Sequence, residues 1–195
     1  MNVRSELRQS DLFGRGSAWP EGFRYEPDLV TPMQEAALIE ALRALPFEPF
    51  DFHGYKANRE VVGYGWRYDY GRRDIGEAEP MPGFLLPLRE RAAAFAGLEA
   101  EAFQQALINA YRPGAGVGWH RDKPHFGVVA GVSLGAPAAL RFRRRRGEGW
   151  ERKTVTVEPR SAYVMTAEAR WVWEHSIAPV ERQRWSITFR TLSAD

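Results

Sequence analysis

Residues 182–190 read Arg182-Gln183-Arg184-Trp185-Ser186-Ile187-Thr188-Phe189-Arg190, so that Arg184, Ser186, Thr188 and Arg190 alternate with Trp185, Ile187 and Phe189. Strict alternation marks a β-strand, in which successive side chains point to opposite faces. Both arginines therefore share one face. If that face is exposed, they are ordinary surface charges on an amphipathic edge strand. If it is turned inward, each guanidinium needs an anion, because an unpaired buried charge is costly. A dicarboxylate ligand would suit two guanidinium forks, each able to take a carboxylate through paired hydrogen bonds.

This strand ends a longer series. From about Phe103 to Leu192, short runs rich in Val, Ile, Phe, Tyr and Trp are separated by Gly, Pro or charged turns. Strands are expected at Ala106–Tyr111, Val128–Leu134, Leu140–Arg145, Lys153–Val157, Ala162–Thr166, Trp171–His175 and Trp185–Thr191. Two helices precede them. Thr31 can cap the first, Pro32 suits its first position, and Met33, Ala36, Ala37, Leu38, Leu42 and Leu45 form an apolar face before Pro46. The second follows Pro80–Pro87, with Leu85, Leu88, Ala92, Phe95 and Ala96 at helical spacing. Two helices followed by a long antiparallel run predict an α+β, mainly β fold, with helices packed on a sandwich or barrel of the jelly-roll kind. The length of 195 residues suits one domain, expected over 21–195 after a flexible arm at 1–20.

Composition narrows the chemistry. The chain has no cysteine, which excludes disulfides and thiolate metal sites, so any metal must be held by His and carboxylate. Met1–Arg15 carries charges throughout without an apolar core, and no run is long enough for a membrane span, so a cytoplasmic protein with no membrane partner is expected. The net charge is +2 and the pI about 9.0, a balance that permits a nucleic-acid partner without demanding one. Arg141, Arg143, Arg144, Arg145, Arg146, Arg152 and Lys153 crowd one stretch, which is either a solvated hairpin tip or a phosphate-attracting patch.

Two of the four histidines fall within Trp119-His120-Arg121-Asp122-Lys123-Pro124-His125. His120 and Asp122, two apart at an extended strand end, can turn their side chains to one ion. His175, in Trp173-Glu174-His175-Ser176-Ile177, is the best third ligand. Two histidines and a carboxylate on one face of an octahedron leave positions open for a bidentate ligand and O₂, the arrangement of non-haem iron oxygenases. His-x-Asp alone is short enough to arise by chance; its conjunction with Arg184 and Arg190 raises its weight. Asn109 and Tyr111, alternating on the strand before it, add an amide and a phenol either to the same pocket or to the core.

Taken in order, Asn109-Ala110-Tyr111-Arg112-Pro113-Gly114, His120-Arg121-Asp122, Val132-Ser133-Leu134-Gly135, Ala169-Arg170 ahead of His175, and Arg184 through Arg190 resemble the AlkB-like 2-oxoglutarate- and Fe(II)-dependent dioxygenases. The resemblance is close over the C-terminal half and looser over Phe52–Tyr70. It implies a double-stranded β-helix (jelly-roll) core with two supporting helices and a substrate lid at about 50–72. By resemblance, His120, Asp122 and His175 are the catalytic iron ligands. Arg190 and Asn109 lie near the C1 end of 2-oxoglutarate, and Arg184 with Tyr111 binds its far carboxylate. Ser186 stands where better-known members have asparagine, and Pro124 where some have an acidic residue that reads the base.

The implied activity is oxidative demethylation of N-alkylated bases in DNA or RNA, expected single-stranded, by a monomer using Fe(II), 2-oxoglutarate and O₂ and releasing formaldehyde, succinate and CO₂. Substrate contacts are expected from Tyr55, Arg59, Tyr64, Trp66, Tyr68 and His125, since interleaved aromatics and arginines suit stacking on a base and contact with its phosphate. The same aromatics would equally serve a hairpin that covers the core. Two rival functions stand beside this one: the same chemistry on a protein side chain or small molecule, and a binding module without catalysis.

Overall fold

A computed structural model describes residues 18–52, 55–69 and 74–193, and the side chains of these except 50–52, 55–58, 67 and 69. Most of the expected arm, together with His53, therefore lies outside the described residues. The chain runs β1 (Phe23–Glu26), α1 (Pro32–Arg43), β2 (Glu48–Phe52), β3 (Tyr55–Tyr64), β4 (Trp66–Asp69), β5 (Asp74–Glu77), α2 (Leu86–Ala96) and β6 (Gln105–Tyr111). It continues with β7 (Val117–His120), β8 (Phe126–Leu134), β9 (Ala138–Arg146), β10 (Gly149–Val157), β11 (Ala162–Met165), α3 (Ala167–Trp171), β12 (Glu174–Ile177) and β13 (Arg184–Leu192).

The first helix begins where its chemistry says it should. Thr31 accepts from the Gln34 backbone while the Gln34 side chain accepts from the Thr31 amide, a reciprocal capping box followed by Pro32. The second helix stops at Gly97, whose φ of 75° is a left-handed cap that costs glycine little.

Three layers result. A seven-stranded sheet has the order β1-β11-β8-β13-β6-β3-β2, a four-stranded sheet the order β10-β9-β12-β7, and β4-β5 form a separate hairpin. Leu42 of α1 and Leu88, Ala92 and Ala93 of α2 pack with Ile108, Val132, Ile187 and Phe189 on one face of the large sheet. On its other face Val129 and Met165 meet Leu140, Phe142, Val155, Val157 and Trp173. The alternation of β13 is thus resolved: Trp185, Ile187 and Phe189 face the helices, and Arg184, Ser186, Thr188 and Arg190 face the gap between sheets. The jelly-roll expectation holds.

One expectation needs correction. Trp171-Val172-Trp173 is not strand: the backbone makes a short helix through Trp171, and the strand begins at Glu174. Trp171 and Val172 are exposed, whereas Trp173 is buried, so an aromatic run that looks uniform is divided by a turn. The stretch expected as a lid is partly sheet, because β3 pairs with β6 from Arg59↔Tyr111 to Tyr64↔Ala106. Among the described residues no helix is long and apolar enough to cross a membrane.

Candidate active site

The small sheet brings the histidines together. β7 and β12 pair antiparallel with His175 directly across from His120, and the ring centroids are 4.3 Å apart. Asp122 follows just beyond the end of β7, and the ligand atoms of His120, Asp122 and His175 all lie within 4.8 Å of one another. His120 Nδ1 donates to the Gly118 carbonyl at 2.9 Å, which leaves Nε2 with its lone pair.

The electrostatics favour a neutral His175 beside a carboxylate. Burial, reinforced by the neighbouring His120, pulls the His175 pKa down to about 3. Burial works against ionisation of Asp122, but the nearby charge of Arg190, with Arg170 beyond it, helps outweigh that penalty and hold the carboxyl well below its usual range. Asp122 Oδ1 accepts from Arg190 Nη2 at 2.9 Å, and the buried Oδ2 has no partner among the described residues. A buried acceptor left without a partner is costly. Two imidazole nitrogens and a carboxylate oxygen converging at this point suit a divalent metal of intermediate softness, and the donor set fits Fe(II).

β13 supplies the facing wall. Arg184, only 1% exposed, donates from Nε to Ser133 Oγ at 3.2 Å and lies 4.8 Å from the centre of the Tyr111 ring. Its Nη1 is buried without a partner. A charged donor in that state is built for an anion. The cavity between, about 60 Å³, is lined by Asn109, Tyr111, Arg184, Ser186, Thr188 and Arg190 together with His120, Asp122 and His175. The Tyr163 phenol also lines it, pushed up to about 12 by burial and so protonated at neutral pH.

Arg190 is engaged from the protein side, at the metal end of the cavity. Its two terminal nitrogens are engaged with Asp122 and with Gln105, the latter at 2.8 Å, so its fork is already filled and only Nε lacks a partner. It fixes the metal-side carboxylate from the cavity lining.

The expected substrate residues divide. Arg59 lines the cavity and donates to Asn109 Oδ1 at 3.1 Å. Tyr68 and His125 come together outside the lining, with ring centroids 5.6 Å apart, and Lys123 Nζ sits 4.6 Å from the Tyr68 ring centre. Trp66 opens β4 away from the lining. Tyr64 is a correction: it is 8% exposed and belongs to the core beneath the helices, because β3 turns it to that face of the sheet. The Tyr55 side chain lies outside the described set.

Two contributors, Gln105 and Tyr163, were not singled out from sequence, and Arg170 was quoted only as a motif residue without a role. Gln105 sits across from Arg190 in the β6–β13 register, one residue before the expected strand start. Tyr163 looked like one more core aromatic. Arg170, 3% exposed, donates to the carbonyls of Gly127 at 2.8 Å, Asp122 at 3.3 Å and Lys123 at 2.7 Å, and also to that of Phe126. It ties the loop carrying Asp122 to α3, just ahead of His175. An arginine inside an apolar run between Ala169 and Trp171 was the available signal.

Comparison with known proteins agrees with this geometry. Residues 22–190 match the sequence model of the 2OG-Fe(II) oxygenase superfamily. The chain is 27% identical over 175 residues to the "Alkylated DNA repair protein ALKBH8 homolog" of Arabidopsis thaliana, covering 77% of this chain and 49% of that protein. It is 28% identical over 165 residues to the "tRNA (carboxymethyluridine(34)-5-O)-methyltransferase alkbh8" of Xenopus tropicalis, covering 82% and 26%. It thus spans about half of the first and a quarter of the second. The uncharacterized protein L905 of Acanthamoeba polyphaga mimivirus is 33% identical over 194 residues, covering 88% of this chain and 85% of that one. The solved structure of OsALKBH1 shares the fold, with a TM-score of 0.66 at 16% identity over 87% of this chain and 96% of the other. With its triad and buried arginine in place, the chain belongs to the 2OG-Fe(II) oxygenase superfamily as an AlkB-like dioxygenase that uses Fe(II), 2-oxoglutarate and O₂.

Proposed function

We propose that this chain oxidatively demethylates N-methylated bases in nucleic acid, releasing formaldehyde, with 2-oxoglutarate consumed to succinate and CO₂. The observation that carries the reading is one small cavity with the His120–Asp122–His175 group on one wall and the unpartnered Arg184 Nη1 on the other. The relatives named for alkylated-DNA repair and tRNA modification support a nucleic-acid substrate.

His120, through Nε2, Asp122, through Oδ2, and His175 would hold Fe(II), which when bound supplies O₂ activation and the oxidising power for C–H cleavage. Arg184 receives the far carboxylate of 2-oxoglutarate, with the Tyr111 and Ser186 hydroxyls on the same wall. Asn109, which accepts from Arg59 and pairs with Ser186 in the β6–β13 register, offers its amide beside them. Arg190 holds the Asp122 carboxylate ionised and in register. Val129, Leu140 and Met165 give the cavity apolar sides, which limits water and strengthens each charged contact. Arg59, Tyr68 and His125, with Trp66 and Tyr55 on neighbouring strands, are the residues assigned to the substrate.

The test is succinate and formaldehyde release by the purified protein with Fe(II), 2-oxoglutarate, ascorbate and O₂, with methylated single-stranded DNA, methylated RNA or no oligonucleotide. The expected result is oligonucleotide-stimulated turnover that is lost in His120→Ala and Arg184→Met. Turnover without stimulation by any methylated oligonucleotide would assign the same chemistry to a protein side chain or small molecule. Absent turnover with bound iron would favour a binding module.

A further inference from the structure

The small sheet has a second face. Alternation turns His120, His175, Leu140 and Phe142 inward, and it turns Trp119 on β7, Glu174 and Ser176 on β12, Arg141, Arg143 and Arg145 on β9, and Trp150 and Arg152 on β10 outward. These outward groups form a ladder. Arg141 lies 5.2 Å and Arg143 4.6 Å from the Trp119 ring centre; Arg143 lies 4.2 Å and Arg145 4.5 Å from that of Trp150. Four arginines on this face meet one carboxylate, Glu174, whose Oε2 is 2.5 Å from Arg143 Nε. Arg141 is held by the neutral Ser176 hydroxyl and Arg145 by the Glu148 carbonyl. Neither of these, nor Arg152, has a carboxylate within 4.0 Å among the described residues, whereas Arg144 and Arg146, on the opposite face of β9, reach Glu151.

A core-covering role does not account for this, because the tryptophans cap guanidinium groups and not aliphatic side chains. A guanidinium held against an indole has less rotamer freedom left to lose and can still present the N–H edge its own hydrogen bond does not use. Along β9 such edges recur about every 7 Å, the two-residue repeat of a strand. Repeated, pre-ordered, uncompensated guanidinium edges match a chain of phosphates. We propose that the outer face of the small sheet binds the phosphate backbone of the nucleic acid whose base enters the cavity, with Arg141, Arg145 and Arg152 as the phosphate contacts and with Trp119 and Trp150 supporting the first two. This inference rests on the nucleic-acid reading above and extends it to a surface on the far side of the sheet that carries the histidines.

The test measures binding of fluorescein-labelled, unmodified single-stranded DNA and RNA of one sequence by anisotropy across a salt series. It compares wild type, the triple variant Arg141→Gln/Arg145→Gln/Arg152→Gln, and a control triple of equal charge loss on the helical side, Arg24→Gln/Arg43→Gln/Arg91→Gln. Co(II) absorbance at the triad checks folding; should the first triple fail it, Arg145→Gln and Arg152→Gln singly, at exposed positions, carry the comparison. Losing three single-strand phosphate contacts should flatten the log K against log salt slope by about 2 and weaken binding at low salt at least about tenfold, with the control unchanged. A first triple that keeps the wild-type slope overturns the surface and leaves the nucleic-acid reading standing. Equal losses in both triples assign the effect to bulk charge and overturn it as well. Wild type that binds neither oligonucleotide at low salt overturns the surface, and formaldehyde release then decides the nucleic-acid reading separately.

Discussion

Arg170→Met is the most informative single change outside the cavity. The wild-type guanidinium donates to four backbone carbonyls between Asp122 and Gly127 and is 3% exposed. Methionine approximates the volume and removes every donor, leaving buried carbonyls unpaired at roughly 1–3 kcal/mol each before relaxation. Rewetting of the partly exposed loop and relief of a buried charge offset much of that, so the net loss is expected near 3 kcal/mol. In a chain of this size that lowers Tm by roughly 6–12 °C. Because the freed loop carries Asp122, Fe(II) affinity should fall about 10–100-fold, as it does when groups behind metal ligands are removed. Differential scanning fluorimetry and a competitive metal titration read the two effects. Arg170→Lys, which offers a point charge and cannot span four carbonyls, should fall between. If Arg170→Met melts within a degree or so of wild type and binds Fe(II) equally well, the loop does not depend on this residue and the reasoning is wrong.

The remaining predictions concern the cavity. Arg184→Met should raise the KM for 2-oxoglutarate about 10–100-fold with Fe(II) affinity unchanged, whereas Arg190→Met should weaken Fe(II) first, because Arg190 pairs with Asp122; steady-state kinetics beside metal titration separates them. The metal-free protein should lose stability as pH falls from about 6.5 toward 3: His175 takes up a proton at 6.5 when unfolded but only near 3 when folded, so the unfolded state binds more protons in that window. Asp122, held low in the fold, adds a loss in the same direction at pH values below its unfolded 3.8. Thermal melts across pH should show this, and His175→Ala should flatten the upper part. Gly131→Ala would place a methyl 2.3 Å from the Tyr163 ring and drive that buried ring toward the cavity; the expected outcome is a destabilisation of about 1–3 kcal/mol with a raised KM for 2-oxoglutarate.

What could be read in advance follows from how local each signal is. That Arg184 and Arg190 share a face was legible because period two is a property of the strand alone, whereas its inward direction was not read from the strand itself. The triad was legible because His-x-Asp is local and few histidines remain to complete it. The short helix through Trp171 was not legible, since its aromatic run has the composition of a strand and only tertiary contacts divide buried Trp173 from exposed Trp171. Tyr64 was misplaced for a related reason: which face of a strand is inward depends on its partner, and the β3–β6 register decides it. The engagement of Arg190 by Asp122 and Gln105 joins residues 68 and 85 positions away, beyond any pattern along the chain.

The metal-side residues belong to the small sheet and the loop leaving it, and the arginine wall belongs to the large one, with the Asp122–Arg190 ion pair crossing between. The site therefore works like a vice whose two jaws are separate sheets. Its opening is set by the packing of Leu140, Phe142, Val129 and Met165 between them, so trimming those apolar spacers would detune the reaction without touching a reacting group. A co-substrate held by Arg184 on one jaw and by metal on the other would act as a tie rod, drawing in the same direction as the ion pair already spanning the gap.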